Sequence, residues 1–192
     1  MVRRFYDLKL DVYVKGRWHL GEPVAADGTP VDDPWKFVEG RPVTLNQKLR
    51  VPVSRPGVPV AFEFAGAAQT PIVNARIASA LTQMAPADIQ LFPVDVDDVA
   101  GTYHLLNVAR TIRCIDDELS REVRYFEASD PLHSHRAGEY RHVSGLRIDK
   151  SKAPSDARVF RLWGYFLPII VDGEVKDALE AVGASGVRFD EV

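Results

Sequence analysis

The sequence predicts an α+β fold in a single domain spanning 1–192, with many short, mainly antiparallel strands and two principal helices at about 71–85 and 173–182. Three observations lead there. The chain has 192 residues, 46% of them hydrophobic and 27% charged, which is the length and composition of one generous globular domain. Apolar residues recur clearly at helical steps of three and four in two windows, while Tyr103 to Ile115 fits helix or strand by period and is given to strand by its composition. Elsewhere, short alternating runs are broken by Gly, Pro and Asp, so strands outnumber helices without the regular strand–helix alternation of a doubly wound sheet. No internal repeat period emerges.

Phe5 to Val14 alternates and places Tyr6, Leu8, Leu10, Val12 and Val14 on one face of a half-buried strand. From Gly21 to Pro59 turn signals recur every few residues, excluding long regular elements. Trp18, Trp35, Phe37 and Val43 lie in or beside this stretch, so it reads as a loop packed on the core. Val60 to Phe64 is a short strand. Thr70-Pro71 then reads as an N-cap with proline in the first turn, followed by Ile72, Val73, Ile77, Ala80, Leu81 and Met84 at helical spacing until Pro86. Ile89 to Val96 carries apolar groups on both faces, a covered strand in which Pro93 favours an edge or an end.

Strands are expected at about 102–109 and 111–115, then at Val123 to Phe126, Tyr140 to Ile148 and Ala157 to Trp163. At the end of the sequence Leu167 to Val171 is a strand and Asp172 caps a helix with the stripe Val175, Ala178, Leu179 and Val182. Gly183 stops that helix and Val187 to Phe189 opens a last strand, so these three elements form a possible crossover.

Twenty-four basic against twenty-seven acidic residues leave a net charge of −3, which argues against a general polyanion binder. Arg110, Arg113, Arg121 and Arg124 are interspersed with Asp116, Asp117, Glu118 and Glu122, an alternating surface rather than a nucleic-acid stripe. No apolar run is long enough for a membrane span, and one cysteine forms no internal disulfide; with no signal peptide recognised, the expected compartment is the cytoplasm. His133, His135 and His142 are the residues most suggestive of a metal, but no ligand spacing joins them to a carboxylate, and an exposed loop is the better reading. Cys114 lies among apolar neighbours and reads as buried. Ser120 and Ser144 lack a nucleophile elbow, and no glycine-rich cofactor loop opens a helix. No catalytic residue, cofactor or metal is therefore assigned. Asp95, Asp97 and Asp98, and Asp116, Asp117 and Glu118, form two acidic clusters that read as turns at strand ends or as protein-recognition elements.

Several segments occur in a telling order: Phe5-Tyr6-Asp7-Leu8, Asp33-Pro34-Trp35, Pro71-Ile72-Val73, Asp88 through Val94, Tyr103 with Leu106-Asn107-Val108, and Cys114-Ile115-Asp116 with Ser120. Leu146 through Asp149, Val159 through Leu162, and Ile169 through Leu179 with Gly183, Gly186, Val187 and Phe189 complete the series. Together they resemble the myxobacterial-type immunity protein family of bacterial polymorphic toxin systems. The resemblance implies a non-enzymatic cytoplasmic protein that binds and neutralises a cognate protein toxin. The two acidic clusters and Trp35 are the expected interface residues. The alternatives are a metal-dependent enzyme using the His133 and His135 region, and a cytoplasmic interaction scaffold unrelated to toxins.

Overall fold

The computed structural model describes residues 3–192. In chain order the strands and helices are β1 (Phe5–Leu10), β2 (His19–Leu20), β3 (Val24–Ala25), β4 (Leu49–Val51), β5 (Val53–Arg55), β6 (Phe62–Ala65), β7 (Thr70–Asn74), α1 (Ala75–Met84), β8 (Ile89–Val96) and β9 (Tyr103–Val108). They continue with β10 (Thr111–Ile112), β11 (Glu122–Tyr125), β12 (Tyr140–Ser144), β13 (Val159–Leu162), β14 (Tyr165–Asp172), α2 (Gly173–Ala181) and β15 (Val187–Glu191). One sheet has the order β3-β4-β8-β9-β7-β6-β2-β5, a second β10-β13-β14-β1-β15, and β11 and β12 form a ribbon. The named pairings are antiparallel except β2–β6, β4–β8 and β10–β13, so the α+β expectation holds.

The architecture contains a repeat that sequence periodicity misses. In the first sheet β7 leads into α1 and the chain returns as β8, parallel to β7 with β9 inserted between them. In the second, β14 leads into α2 and returns as β15, with β1 inserted between them. Outside β7 and β14 lie β6 and β13 in matching antiparallel register, Phe62 opposite Val73 and Val159 opposite Val171. The helix entries correspond residue by residue: Ile72-Val73-Asn74 with Ile170-Val171-Asp172, then Ile77, Ala80 and Leu81 with Val175, Ala178 and Leu179. Asn74 accepts from the Ile77 N–H and Asp172 from the Val175 N–H, the same cap bond in each unit.

Three sequence expectations are corrected. The segment Thr70 to Asn74 is a strand and α1 starts at Ala75. Ile72 and Val73 are both buried because β7 is covered on both faces, and Pro71 is tolerated because the β9 ladder begins only at Ile72. β1 ends at Leu10, leaving Val12 58% exposed, and it too is buried on both faces, through Phe5 and Leu8. In the 140–148 segment only Tyr140 to Ser144 is strand, Ile148 making an isolated bridge to Ile115. Pro93 lies within β8, one residue before the β4 ladder starts at Val94. α2 follows expectation, with Val175 and Leu179 fully buried.

The cores follow from the two-unit plan. Both helices and the facing sides of both units share one cluster containing Leu8, Phe62, Val73, Ile77, Leu81, Leu106, Val171 and Leu179. A separate cluster of the first sheet packs Trp18, Phe37 and Leu49 from the 18–60 segment, which itself supplies four of the sheet's strands, against Ile72 and Leu105. The opposite face of the second sheet is covered by Cys114, Ile115, Tyr140, Val143 and Ile148. Asp88 ties the units together. Its buried carboxylate accepts from the N–H groups of Arg158 (2.8 Å) and Val159 (3.0 Å) and from Arg110 (2.8 Å).

Candidate partner interface

Where the two units meet, a groove of about 540 Å³ opens to solvent. One wall is the short turn Pro34–Phe37, capped by the Asp33 side chain, which accepts from the Trp35 N–H. Phe37 is drawn fully into the core, which leaves Trp35 on the outer side, 50% exposed. The other wall is the start of β14, where Tyr165, Phe166 and Leu167 line the groove and Leu167 is 48% exposed. Phe126, His135 and Arg136 close one end, with the Arg136 guanidinium 4.4 Å above the Phe126 ring. Gln69, held at φ +54° in the β6–β7 turn, borders this groove and the neighbouring clefts lined by Asp7 and by Arg17.

The wall is braced from behind by Arg161, which is 1% exposed. Its Nη1 donates to the carbonyls of Phe166 (2.9 Å) and Leu167 (2.7 Å). Burial pulls its pKa down to about 9, against the opposing influence of the Asp7 charge. Its stem packs against Gly40, where a Cβ would lie 2.9 Å from the Arg161 Cβ and collide with the Thr111 hydroxyl; the φ of +69° there also favours glycine. Arg161 thus fixes the β14 wall and the chain leaving the Trp35 turn relative to each other.

Of the expected interface residues, Trp35 lines the groove, and Asp117 of one acidic cluster is tied to another groove residue, Tyr140. Asp117 accepts hydrogen bonds from the Tyr125 and Tyr140 hydroxyls, and Tyr140 lines the groove. Burial and the Asp117 contact push the Tyr140 hydroxyl pKa well above its ordinary value. Asp116 turns inward to accept from the Glu118 (3.1 Å) and Leu119 (3.0 Å) N–H groups, leaving Glu118 and Leu119 exposed. The other cluster lies at the far end of β8. Asp95 pairs with Lys48, just before β4, and Asp97 with Arg50 on β4, while Asp98 occupies a turn at φ +57°. Sequence reasoning missed Phe126, Tyr165, Phe166 and Leu167 as groove residues, because their apolar character is equally that of buried strand residues.

The alternative chemistries find little geometry. His133 and His135 have ring centroids 6.4 Å apart, with His133 against Phe126, and His142 is 3.8 Å from Glu122. Among the described residues no three His, Cys, Asp or Glu side chains converge as a metal site. Cys114 is buried and its thiol pKa is pushed up to about 12, chiefly by desolvation. Ser120 holds the Arg147 backbone N–H (3.1 Å). Arg110 pairs with Asp88 and Asp156, Arg113 stacks on Trp163, and Arg124 pairs with Glu122, so these arginines form no continuous stripe. Among the described residues no helix is long and apolar enough to cross a membrane.

The molecule is therefore a two-unit α+β protein with a groove lined by the half-exposed Trp35 and Leu167. A family model described as Immunity protein family (Imm11) matches residues 10–192, and the chain belongs to that family. No curated protein matches it. Membership implies an immunity function and, in general terms, a toxin to bind; such a family is generally non-enzymatic.

Proposed function

We propose that this protein protects the cytoplasm of the producing cell by binding one cognate toxin domain and holding it inactive without turnover. The observation that carries this reading is that Trp35 and Leu167, each about half exposed, line the same seam groove. Large apolar groups held in water on a braced surface favour a partner that covers them, and tryptophan is prominent among residues that dominate binding energy. Asp116, Asp117 and Glu118 supply an acidic rim beside Tyr140. Asp95, Asp97 and Asp98 form a second, more distant cluster, in which Lys48 and Arg50 offset two of the charges, and its part in steering encounter is correspondingly small.

The test is titration of a candidate toxin domain, identified by co-purification, with this protein. Inhibition should saturate at a fixed molar ratio and persist only while the complex persists. Trp35→Ala should weaken the complex at least about tenfold, equivalent to about 1.4 kcal/mol, with the unfolding midpoint unchanged. Lasting detoxification by a trace of the protein would overturn the occlusion reading, and undiminished affinity of Trp35→Ala would remove the groove from it.

A further inference from the structure

The two sheets differ at one place in their shared plan. Outward from the inserted strand, the first sheet runs β9-β7-β6-β2 on one side and β9-β8-β4 on the other, with β2 parallel to β6 and β4 parallel to β8. The second runs β1-β14-β13-β10 on one side, with β10 parallel to β13, and β1-β15 on the other. Among the described residues no strand lies beyond β15, which holds the place of β8 without a counterpart of β4. The register with β1 shows which groups that edge leaves open. The Val192 N–H donates to the Phe5 carbonyl (3.0 Å) and the Asp11 N–H to the Gly186 carbonyl (2.8 Å). By alternation Asp190 and Arg188 turn their main-chain groups towards Asp7 and Lys9 of β1, while Val187, Phe189 and Glu191 turn theirs outward. At the far end of this edge Arg147 reaches the Glu191 carbonyl (3.0 Å).

We propose that the β15 edge pairs with the β15 edge of a second copy of this chain, antiparallel about a two-fold axis at Phe189. The order of residues in the strand selects this occupant. Phe189 meets Phe189 and exchanges both main-chain bonds, and each Glu191 N–H donates to the Val187 carbonyl of the other copy. Val187 and Phe189, only partly buried against the shared core, gain cover on that face. On the opposite face Arg188 of each copy lies across from Asp190 of the other, in the type of pair where side chains approach most closely. Both side chains are 42% exposed. Within one chain Asp190 holds Lys9 at 2.7 Å and Arg188 at 3.3 Å, so pairing joins two ion clusters of matching order into one. A slip of two residues in either direction sets Arg188 against Arg188 or Asp190 against Asp190, and like charges directly opposite destabilise a strand pair. The strand is therefore complementary to itself in one register.

The experiment is sedimentation velocity of the full chain. Wild type should pass from monomer to dimer across roughly 10 µM to 1 mM, the weak regime of an interface built on one strand. Arg188→Asp and Asp190→Arg each place like charges across the axis, and each should weaken the dimer at least about tenfold. Lys9 keeps Asp7 at 3.3 Å when Asp190 is replaced. An equimolar mixture of the two single variants should dimerise, because each chain then meets its opposite, and the double variant Arg188→Asp, Asp190→Arg should dimerise alone. Recovery in the mixture separates lost pairing from lost folding. A wild type still monomeric at about 1 mM, single variants that associate like wild type, or a mixture without recovery would overturn the assignment. The pairing needs no toxin, so its failure leaves the immunity reading standing.

Discussion

At the scale of single residues, the buried charges carry the sharpest expectations. Asp7 is 5% exposed on β1, and burial raises its carboxyl pKa more than neighbouring Lys9 lowers it. The folded protein therefore holds the Asp7 proton more tightly than the unfolded chain. That contribution to stability is complete below the ordinary carboxylate range and is lost as pH rises through the raised value. Asp7→Asn, neutral at every pH, should be more stable than wild type at neutral pH, and the gap should close in acid. Urea midpoints measured across pH check this; a midpoint that falls at pH 7 would show that Lys9 and Arg161 depend on the Asp7 charge. The sequence marks such residues poorly. Asp7 and Arg161 sit in alternating strand patterns where a charge normally signals the solvent face, and they are inside because their sheet is covered on both sides. Cys114 was legible because its immediate neighbours are apolar. The groove was half legible: Trp35 stands beside a turn signal, while the exposure of Leu167 is set by the distant Arg161 brace.

At the scale of elements, the two helices are equivalent parts in equivalent places. Leu81 and Leu179 occupy matching positions, are 1% and 0% exposed, and pack in the same core. Replacing either by Ala should cost roughly 2–5 kcal/mol, the usual range for a buried leucine. The caps should differ. Asn74→Ala should cost about 0.5–2 kcal/mol for the lost cap bond. Asp172→Ala should cost more, because Asp172 also holds Arg3 at 3.2 Å and Arg158 at 3.7 Å. Chemical denaturation of the four single variants measures all of this, and equal costs for the two caps would deny those ion pairs any net effect. α2 was legible in detail because Asp172, its apolar stripe and Gly183 agree. α1 was displaced by four residues because Thr70-Pro71 imitates a helix start, and only the pairing of β7 with β6 and β9 decides otherwise.

At the scale of the whole molecule, the repeat escaped the sequence because its halves are offset around the chain. The first unit runs continuously from β6 to β9, whereas the second runs from β13 to β15 and borrows β1 from the opposite end. The family match begins at residue 10, so β1 falls almost entirely outside it, yet β1 is an inner strand of the second sheet. Val192 donates to the Phe5 carbonyl at 3.0 Å, which sets residues 5 and 192 side by side. This adjacency bears on the order of events during synthesis. β1 must wait for strands made much later in the chain, since neither of its neighbours exists until β14 and β15 are made, and such long-range pairing slows folding. A circular permutant that links residue 192 to residue 3 by a few glycines and opens the chain within the exposed stretch Glu127–Ser129 turns that closure into a local hairpin. Stopped-flow refolding of the permutant should be faster than that of the natural order, with unfolding little changed. Equal refolding rates would place the slow step in the first unit, where the chain needs no help from its far end.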